Sequence, residues 1–241
     1  MIQTHPHLLE RSPLLEYGVN VYSQNGEDGI IEEIFKRLKI SEGYVCEFGA
    51  FDGRHLSNTF HLCDSNANFK SILIESNKNY YDECVENVKD HDAIVLNKKI
   101  SSKSQGKNSL NHILKDLEIQ DFSQKFKLIS IDVDGEDYNI WKNFTAFSPD
   151  VVIIEIESSL DLDSKEDLSV SSMTKLGKEK GYELVCHTGN LFFVREDLFP
   201  LIGIKDNSVE TIFLKKIKTA NLVGPMLDLG NMEYTEMPDR L

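Results

Sequence analysis

The chain has 241 residues and carries 26 lysines and arginines against 40 aspartates and glutamates, which gives a formal net charge of −14. This length suits one α/β domain with a single core, and the acidic balance argues against nucleic acid as a partner. The cysteines show no metal-site or disulfide spacing, and no apolar stretch resembles a membrane span or a signal peptide, so we expect a cytoplasmic protein.

The N-terminal region, residues 1–20, contains two of the prolines and is expected to form an arm or cap. The segment SQNGEDG at 23–29 leads into IIEEIFKRL, whose apolar positions predict a helix over about 25–39. A capped helix entrance explains the acids of this segment. Its amides could equally meet the polar methionine end of a cofactor, so Gln24 and Asn25 are candidate cofactor ligands.

The stretch YVCEFGAFDGRHLSNT at 44–59 is the first candidate site. It predicts a strand ending at Glu47, a turn on Gly49 and Gly53 around Asp52, and the start of a helix. Such a turn leaves backbone N–H groups free at the carboxyl edge of a sheet, where open α/β folds bind ligands. A diphosphate requires GxGxxG without neighbouring acids. Carboxylates suit the ammonium and sulfonium charges of S-adenosylmethionine better, although acid-plus-glycine turns also close ordinary strands.

The next strand, residues 71–75, ends in Glu75, 28 residues after Glu47, which is the spacing of one βαβ unit. A carboxylate at this point can accept hydrogen bonds from both ribose hydroxyls; the alternative is a solvated strand end. A third strand at 93–96 is followed by Asn97, whose amide is a candidate for the adenine edge.

The second half of the chain continues the alternation of strands and helices. Strands are expected at 127–132 and 151–156, a helix at 169–180, and a hairpin of strands at 182–187 and 191–194. This order predicts a Rossmann-like class I methyltransferase fold, a mostly parallel seven-stranded sheet closed by an antiparallel hairpin, with helices on both faces. A fully parallel dehydrogenase sheet would lack the hairpin.

The C-terminal part of the chain is expected to complete this domain and to extend beyond it. A further strand is expected at 206–217, which closes a methyltransferase domain over 21–217. Residues 218–241 are expected to form a C-terminal arm or lid that covers the substrate mouth or joins a homo-oligomer.

An acidic cluster follows the fourth and fifth strands, with Asp132, Asp134 and Glu155 among its members. Three interpretations stay open: a solvated acidic edge, a magnesium site at Asp132 and Glu155, or direct chemistry in which Asp132 or Asp134 orients the acceptor. His187, at a strand end, is the best candidate for the base that removes a proton from the acceptor, although a histidine there is more often a structural residue.

Taken together, these segments resemble the FkbM-type family of S-adenosylmethionine-dependent methyltransferases. The matching motifs are SQNGEDGII (23–31), EFGAFDG with SNT (47–53 and 57–59), LIE (73–75), LN (96–97), SIDVDGEDYNIWK (130–142), VVIIE (151–155) and GNLFFVRED (189–197). The resemblance places Glu47, Gly49 and Asp52 in the first motif, Glu75 at the ribose and Asp132 after strand four. Ser57 and Asn58 of the SNT segment are counted with the cofactor site.

The resemblance implies S-adenosylmethionine as donor and methylation of an oxygen, either a sugar hydroxyl or a phosphoryl-type oxygen, of a small molecule or a surface-polysaccharide precursor. Two other classes stay open. One is a non-catalytic regulatory module that keeps the cofactor fold, and the other is a nucleotide-dependent oxidoreductase on a similar sheet.

Overall fold

The fold is built on seven strands, which a computed structural model places within residues 12–133 and 135–213, the part of the chain that it describes. In chain order the strands are β1 Gly43–Phe48, β2 Phe69–Glu75, β3 Ala93–Asn97, β4 Phe126–Ile131, β5 Val151–Glu155, β6 Tyr182–His187 and β7 Asn190–Arg195. They form one sheet of order β3-β2-β1-β4-β5-β7-β6. β1 pairs in parallel with β2 and β4, while β6 and β7 pair antiparallel.

This sheet confirms the predicted class I methyltransferase fold. Helices lie before, between and after the strands: α1 Glu27–Leu38, α2 Phe60–Ser65, α3 Lys78–Asn87, α4 Leu110–Lys115, α5 Phe122–Lys125, α6 Asp137–Asn143, α7 Val170–Glu179, α8 Phe199–Ile202 and α9 Val209–Ile212. None of the helices in the described ranges is long and apolar enough to cross a membrane.

The prediction of a strand at 206–217 is wrong for residues 206–213, the part of this segment that the structure describes. Val209–Ile212 forms the short helix α9, and the carboxylate of Asp206 accepts hydrogen bonds from the Ser208 N–H and the Thr211 hydroxyl at its start. An acid that satisfies N–H and O–H groups at a helix start favours a helical turn over an extended segment. Residues 214–217 and the expected C-terminal arm at 218–241 lie outside the described residues.

The contacts within the chain divide it into two compact units, of which Lys39–Glu155 contains β1 to β5. Within this unit, Phe48 at the end of β1 lies opposite Ile74 of β2 and Ile131 of β4. The residues that follow these strands therefore leave the sheet at one carboxyl edge. The core beneath this edge is apolar: the four residues 151–154 of β5 have no exposed surface, as expected for a strand covered on both faces.

The other unit contains the residues up to Leu38 and those from Ile156 onward. A 3₁₀ helix at Pro13–Tyr17 precedes α1 and buries Leu14 completely. The Ser12 hydroxyl donates to the carbonyl oxygen of Val185 in β6 over 2.7 Å. Residues 12–17 of the expected N-terminal arm are therefore packed within their unit, and residues 1–11 lie outside the described part of the chain.

Gly49 allows a close approach between the chain after β1 and the chain after β4 in the Lys39–Glu155 unit. A Cβ atom at this position would lie 1.7 Å from the carbonyl oxygen of Asp132, and φ is +73°. Gly181 is a matched control, because its φ is +79° and a Cβ atom there would have open space.

We predict that Gly181→Ala lowers the free energy of unfolding by about 1–2 kcal/mol, the cost of a left-handed backbone. Gly49→Ala should lower it by at least about 2 kcal/mol more, because the clash adds to the same backbone cost. Urea denaturation of both variants measures the difference. Equal losses would show that the end of β1 can move away from β4 without cost.

Candidate functional site

The segment from Gly49 to Leu56, here called the β1 turn, is held by hydrogen bonds along most of its length. Six of its backbone N–H groups have acceptors: Gly49 and Ala50 donate to Ile74, Phe51 to Glu75, Gly53 to Ala50, and Arg54 and His55 to Asp52. The expectation of free N–H groups in this turn is therefore wrong. Since anion-binding loops need such groups unoccupied, the β1 turn is a poor cradle for a diphosphate.

Backbone conformation adds to the definition of the β1 turn. Phe51 and Leu56 adopt left-handed conformations, with φ of 50° and 63°. The Asn87 side chain of α3 donates to the carbonyl oxygen of Asp52 over 2.9 Å. Non-glycine residues persist in this region only where their surroundings hold them, and such residues concentrate at functional sites.

Glu47, near the end of β1, is buried and binds the segment that follows the β1 turn. Its carboxylate accepts hydrogen bonds from the Ser57 hydroxyl at 2.5 Å, the Thr59 hydroxyl at 2.7 Å and the Asn58 N–H at 2.9 Å. The Asn58 side chain donates in turn to the Ser130 hydroxyl of β4 over 3.0 Å. Glu47, Ser57 and Asn58, all predicted to bind the cofactor, thus form a buried network that positions the turn.

Glu75, at the end of β2, faces the β1 turn. One carboxylate oxygen accepts from the Phe51 N–H at 3.0 Å and the other from the Asn77 N–H at 2.6 Å. Oε1 also accepts from the Ser76 hydroxyl at 3.5 Å. A carboxylate has about four acceptor positions, so about one stays available. The Phe51 ring lies 4.3 Å from that of Tyr80, which is partly exposed.

Asn97, at the end of β3, uses its side-chain amide within the protein. Nδ2 donates to the carbonyl oxygens of Glu75 and Ser76 over 2.8 and 3.2 Å. The Asn97 side chain is therefore fixed beside Glu75, and its contact with adenine stays a prediction.

Asp52 is also turned inward. Oδ1 accepts from the N–H groups of Arg54 and His55, and Oδ2 lies 2.5 Å from Nδ1 of His55. Only 2% of Asp52 is exposed. Its predicted effect on a cofactor would therefore act through the shape of the β1 turn and through His55, which the sequence interpretation passed over. An acid and a histidine three residues apart in a glycine turn were the sequence signal that could have indicated this contact.

The turn after β4 contains the residues that are predicted to orient the methyl acceptor. Asp132 is exposed beyond the end of β4, and its N–H donates to Phe48 over 3.3 Å. The buried carboxylate of Asp137 accepts from the N–H groups of Val133 and Gly135 and shapes this turn. Asp134 lies outside the described residues, so its predicted role stays untested.

The predicted magnesium site gains no support from the described residues. They contain no group of three or more His, Cys, Asp or Glu side chains arranged to hold a metal ion. Within the described ranges, Asp132 and Glu155 are thus not joined by a third His, Cys, Asp or Glu side chain in such an arrangement. The cation stays a prediction that only a binding measurement can support.

The unit that contains the residues up to Leu38 and those from Ile156 onward holds the other predicted site residues. The carboxylate of Glu27 accepts from the Asn25 N–H at 2.6 Å and from the Thr188 hydroxyl at 2.8 Å, so the 23–29 segment and the β6–β7 hairpin meet there. The carboxylate of Asp28 accepts from three N–H groups, at residues 21–23, and from the Ser23 hydroxyl, as a helix entrance requires. Gln24 is exposed, and the cofactor role of Gln24 and Asn25 stays a prediction.

His187 has no exposed surface. Its Nε2 lies 3.0 Å from the Ser158 hydroxyl, and its ring packs 5.0 Å from that of Phe213. An acceptor could reach this imidazole only if the surrounding side chains moved. These contacts match the structural role that was the alternative for His187, and its role as a base stays a prediction.

Comparison with known proteins gives a similar fold and no family. The chain matches no protein-family model. No curated protein sequence matches it either. Similar solved structures include the CurJ carbon methyltransferase, at 12% identity and a TM-score of 0.48 over 72% of this chain and 56% of that one. The chain thus spans just over half of that relative's length.

Two further structures are similar at the same level. A SAM-dependent methyltransferase from Aquifex aeolicus matches at 13% identity with a TM-score of 0.41, over 79% of this chain and 92% of that chain. The O-methyltransferase (O-MT) region of StiE matches at 12% identity with a TM-score of 0.42, over 73% and 79%. At such identities and scores the likeness adds no argument about activity, which has to rest on the site.

Burial dominates the titration of Glu47. It raises the pKa of this carboxyl group above its ordinary value of 4.5, although the three hydrogen bonds act in the opposite direction. The folded chain therefore binds this proton more tightly than the unfolded chain does. The stability that Glu47 contributes is full below pH 4.5 and is lost as the pH rises from there through the raised pKa.

We predict that the wild type loses stability relative to Glu47→Gln as the pH rises above 4.5, because glutamine cannot ionise. Urea denaturation at a series of pH values measures this slope. Glu42→Gln, at an exposed position before β1, is the control and should show a much smaller slope. A wild type that gains stability over Glu47→Gln across this range would show that the hydrogen bonds outweigh burial.

Proposed function

We propose that the chain is an S-adenosylmethionine-dependent methyltransferase of the FkbM type. It would transfer the methyl group to a sugar hydroxyl or a phosphoryl-type oxygen of a small molecule or a surface-polysaccharide precursor. The observation that carries this proposal is the carboxylate of Glu75, which faces the β1 turn and keeps about one acceptor position available while most N–H groups of that turn are occupied.

The charges of this site favour an adenosyl ligand with a cationic tail over a dinucleotide. A pyrophosphate would meet few unoccupied N–H groups and the carboxylates of Glu75 and Asp132 at the same sheet edge. A sulfonium or ammonium group would be attracted to those carboxylates. The closing hairpin also counts against the oxidoreductase alternative.

The adenosine part has a matching set of groups beside β2. The remaining acceptor position of Glu75 suits a ribose hydroxyl. The rings of Phe51 and Tyr80 supply an aromatic surface next to that carboxylate, and a purine can stack on such a surface. Because Nδ2 of Asn97 is occupied, its Oδ1 is the group that would accept from the adenine amino group.

The chemistry proposed is an in-line displacement. An acceptor oxygen attacks the sulfonium methyl, the carbon–sulfur bond breaks, and its electron pair stays on sulfur in S-adenosylhomocysteine. The rigid β1 turn would contribute by orientation, since well-positioned reactants gain on the order of 7–11 kcal/mol. Asp132 and Asp134 would orient the acceptor.

Isothermal titration calorimetry tests the donor assignment. We expect S-adenosylmethionine and S-adenosylhomocysteine to bind and NADPH to show no heat. No binding of either adenosyl ligand would sink the proposal, and binding of NADPH in their place would favour an oxidoreductase.

Transfer is tested with S-adenosyl-[methyl-³H]methionine and cell extract, followed by mass spectrometry of the labelled product. We expect label on an oxygen-bearing carbohydrate fraction. Label on carbon or nitrogen would show that the acceptor atom is not oxygen. Cofactor binding without any transfer to cell extracts or to a panel of sugars would favour the regulatory alternative.

Glu75→Gln should raise the Kd of S-adenosylhomocysteine about 10- to 150-fold, because it removes a charge-assisted hydrogen bond of about 1.5–3 kcal/mol. Glu83→Gln, at an exposed position on α3, is the matched control and should bind like the wild type. Circular dichroism of both variants checks that the fold is intact. Unchanged affinity in Glu75→Gln would remove the ribose assignment.

A further inference from the structure

The β1 turn holds an imidazole against a buried carboxylate. Nδ1 of His55 lies 2.5 Å from Oδ2 of Asp52. The Asp52 side chain is 3% exposed, whereas a third of the His55 side chain, 33%, is exposed. One face of the pair is therefore fixed inside the protein and the other faces outward.

The geometry around this pair leaves the ring little freedom. Oδ1 of Asp52 accepts from the His55 N–H at 2.8 Å, so the acid binds both the backbone and the ring of the same residue. Asn87 holds the Asp52 carbonyl oxygen, and the left-handed residues Phe51 and Leu56 fix the backbone on either side. A side chain held in this way is pre-organised for contact with a ligand.

The orientation of the ring selects a tautomer. A carboxylate next to Nδ1 requires the proton on Nδ1, which leaves the lone pair of the neutral ring on Nε2. No hydrogen bond within residues 12–133 and 135–213 uses Nε2 of His55. In the other pairs described, His91 with Asp64 and His112 with Asp116, it is Nε2 that faces the acid.

The geometry points to His55 as the general base of the methyl transfer, with Asp52 as its positioning residue. Nε2 takes the proton of the acceptor hydroxyl while the hydroxyl oxygen forms a bond to the methyl carbon. The carbon–sulfur bond breaks at the same time, and its electron pair stays on sulfur. The imidazolium that results is stabilised by Asp52 and returns its proton to solvent. This inference rests on the proposed function, and it assigns the base to the donor turn instead of to His187.

The charged groups around the ring are compatible with this role. Asp52 faces Nδ1 of His55 from within the turn. Arg54, which directly precedes His55 in the chain, is exposed. From α3, the neutral Asn87 side chain approaches Asp52, and burial raises the pKa of the Cys84 thiol to about 12, which keeps it neutral. Asp52 is thus the anion that stabilises the protonated ring.

Long-range ¹H–¹⁵N NMR of the imidazole rings tests the inference without an acceptor. The probes are S-adenosylhomocysteine and sinefungin, an analogue with an amine near the position of the transferred methyl. The signal absent from His55→Gln identifies the residue. We expect Nδ1–H as the neutral tautomer and a different Nε2 chemical shift in the two complexes, because the amine charge lies near Nε2 only in sinefungin.

An identical Nε2 shift in both complexes, with binding of both ligands confirmed by calorimetry, would overturn the role of His55 and leave the proposed function standing. If neither ligand binds, the proposed function fails and the inference falls with it. His112 is the internal control, because its ring lies on the surface of α4 beside Asp116 and should not distinguish the ligands.

In the transfer assay, His55→Ala should reduce kcat about 10²- to 10⁴-fold, the usual contribution of a general base. The Kd of S-adenosylhomocysteine should stay within about twofold, and added imidazole should restore part of the rate. A rate equal to that of the wild type, or a loss explained by weaker cofactor binding, would refute the role. His55→Gln serves if His55→Ala does not fold, and His187→Ala tests the other candidate base.

Discussion

The carboxylate of Glu47 is the interaction on which the candidate site depends. It is buried near the end of β1 and accepts hydrogen bonds from Ser57, Asn58 and Thr59. Those contacts bring the chain back over β4, where Asn58 meets Ser130. Without an acceptor at this position, buried hydroxyl and N–H groups would lose their partners at a cost of about 1–3 kcal/mol each. The shape of the β1 turn follows from this constraint.

Asp52 and Glu75 extend the same principle. Asp52 accepts two backbone N–H groups of the β1 turn and Glu75 accepts one, so both acids hold the loop that faces a ligand, while Glu75 keeps about one acceptor position for that ligand. A glycine-rich phosphate loop works in the opposite way, because its N–H groups are kept for the ligand. In this protein the carboxylates of Asp52 and Glu75 occupy N–H groups of the turn that a phosphate would otherwise bind. A positively charged ligand therefore suits the turn better than an anion.

Much of the fold could be predicted from the sequence because its signals are local. The apolar run VVII of β5 and the glycine in the β6–β7 hairpin mark elements that need no distant partner to be recognised. The helix at Val209–Ile212 was missed because four residues carry too little periodicity to outweigh an alternating pattern. The side-chain orientation of Glu47 and Asp52 could not be predicted, since it depends on hydrogen bonds across the turn. The burial of His187 depends in the same way on Ser158 and Phe213.

The most direct test of the account is amide chemical-shift mapping of ¹⁵N-labelled protein with S-adenosylhomocysteine. The account predicts that the largest shifts fall on the residues of the β1 turn and on Glu75 to Asn77. Because the turn is already held by Glu47, Asp52 and Glu75, its amides should shift without broadening or a change of hydrogen-exchange protection. Shifts confined to other parts of the chain, or none at saturating ligand, would contradict the assignment of this turn as the donor site.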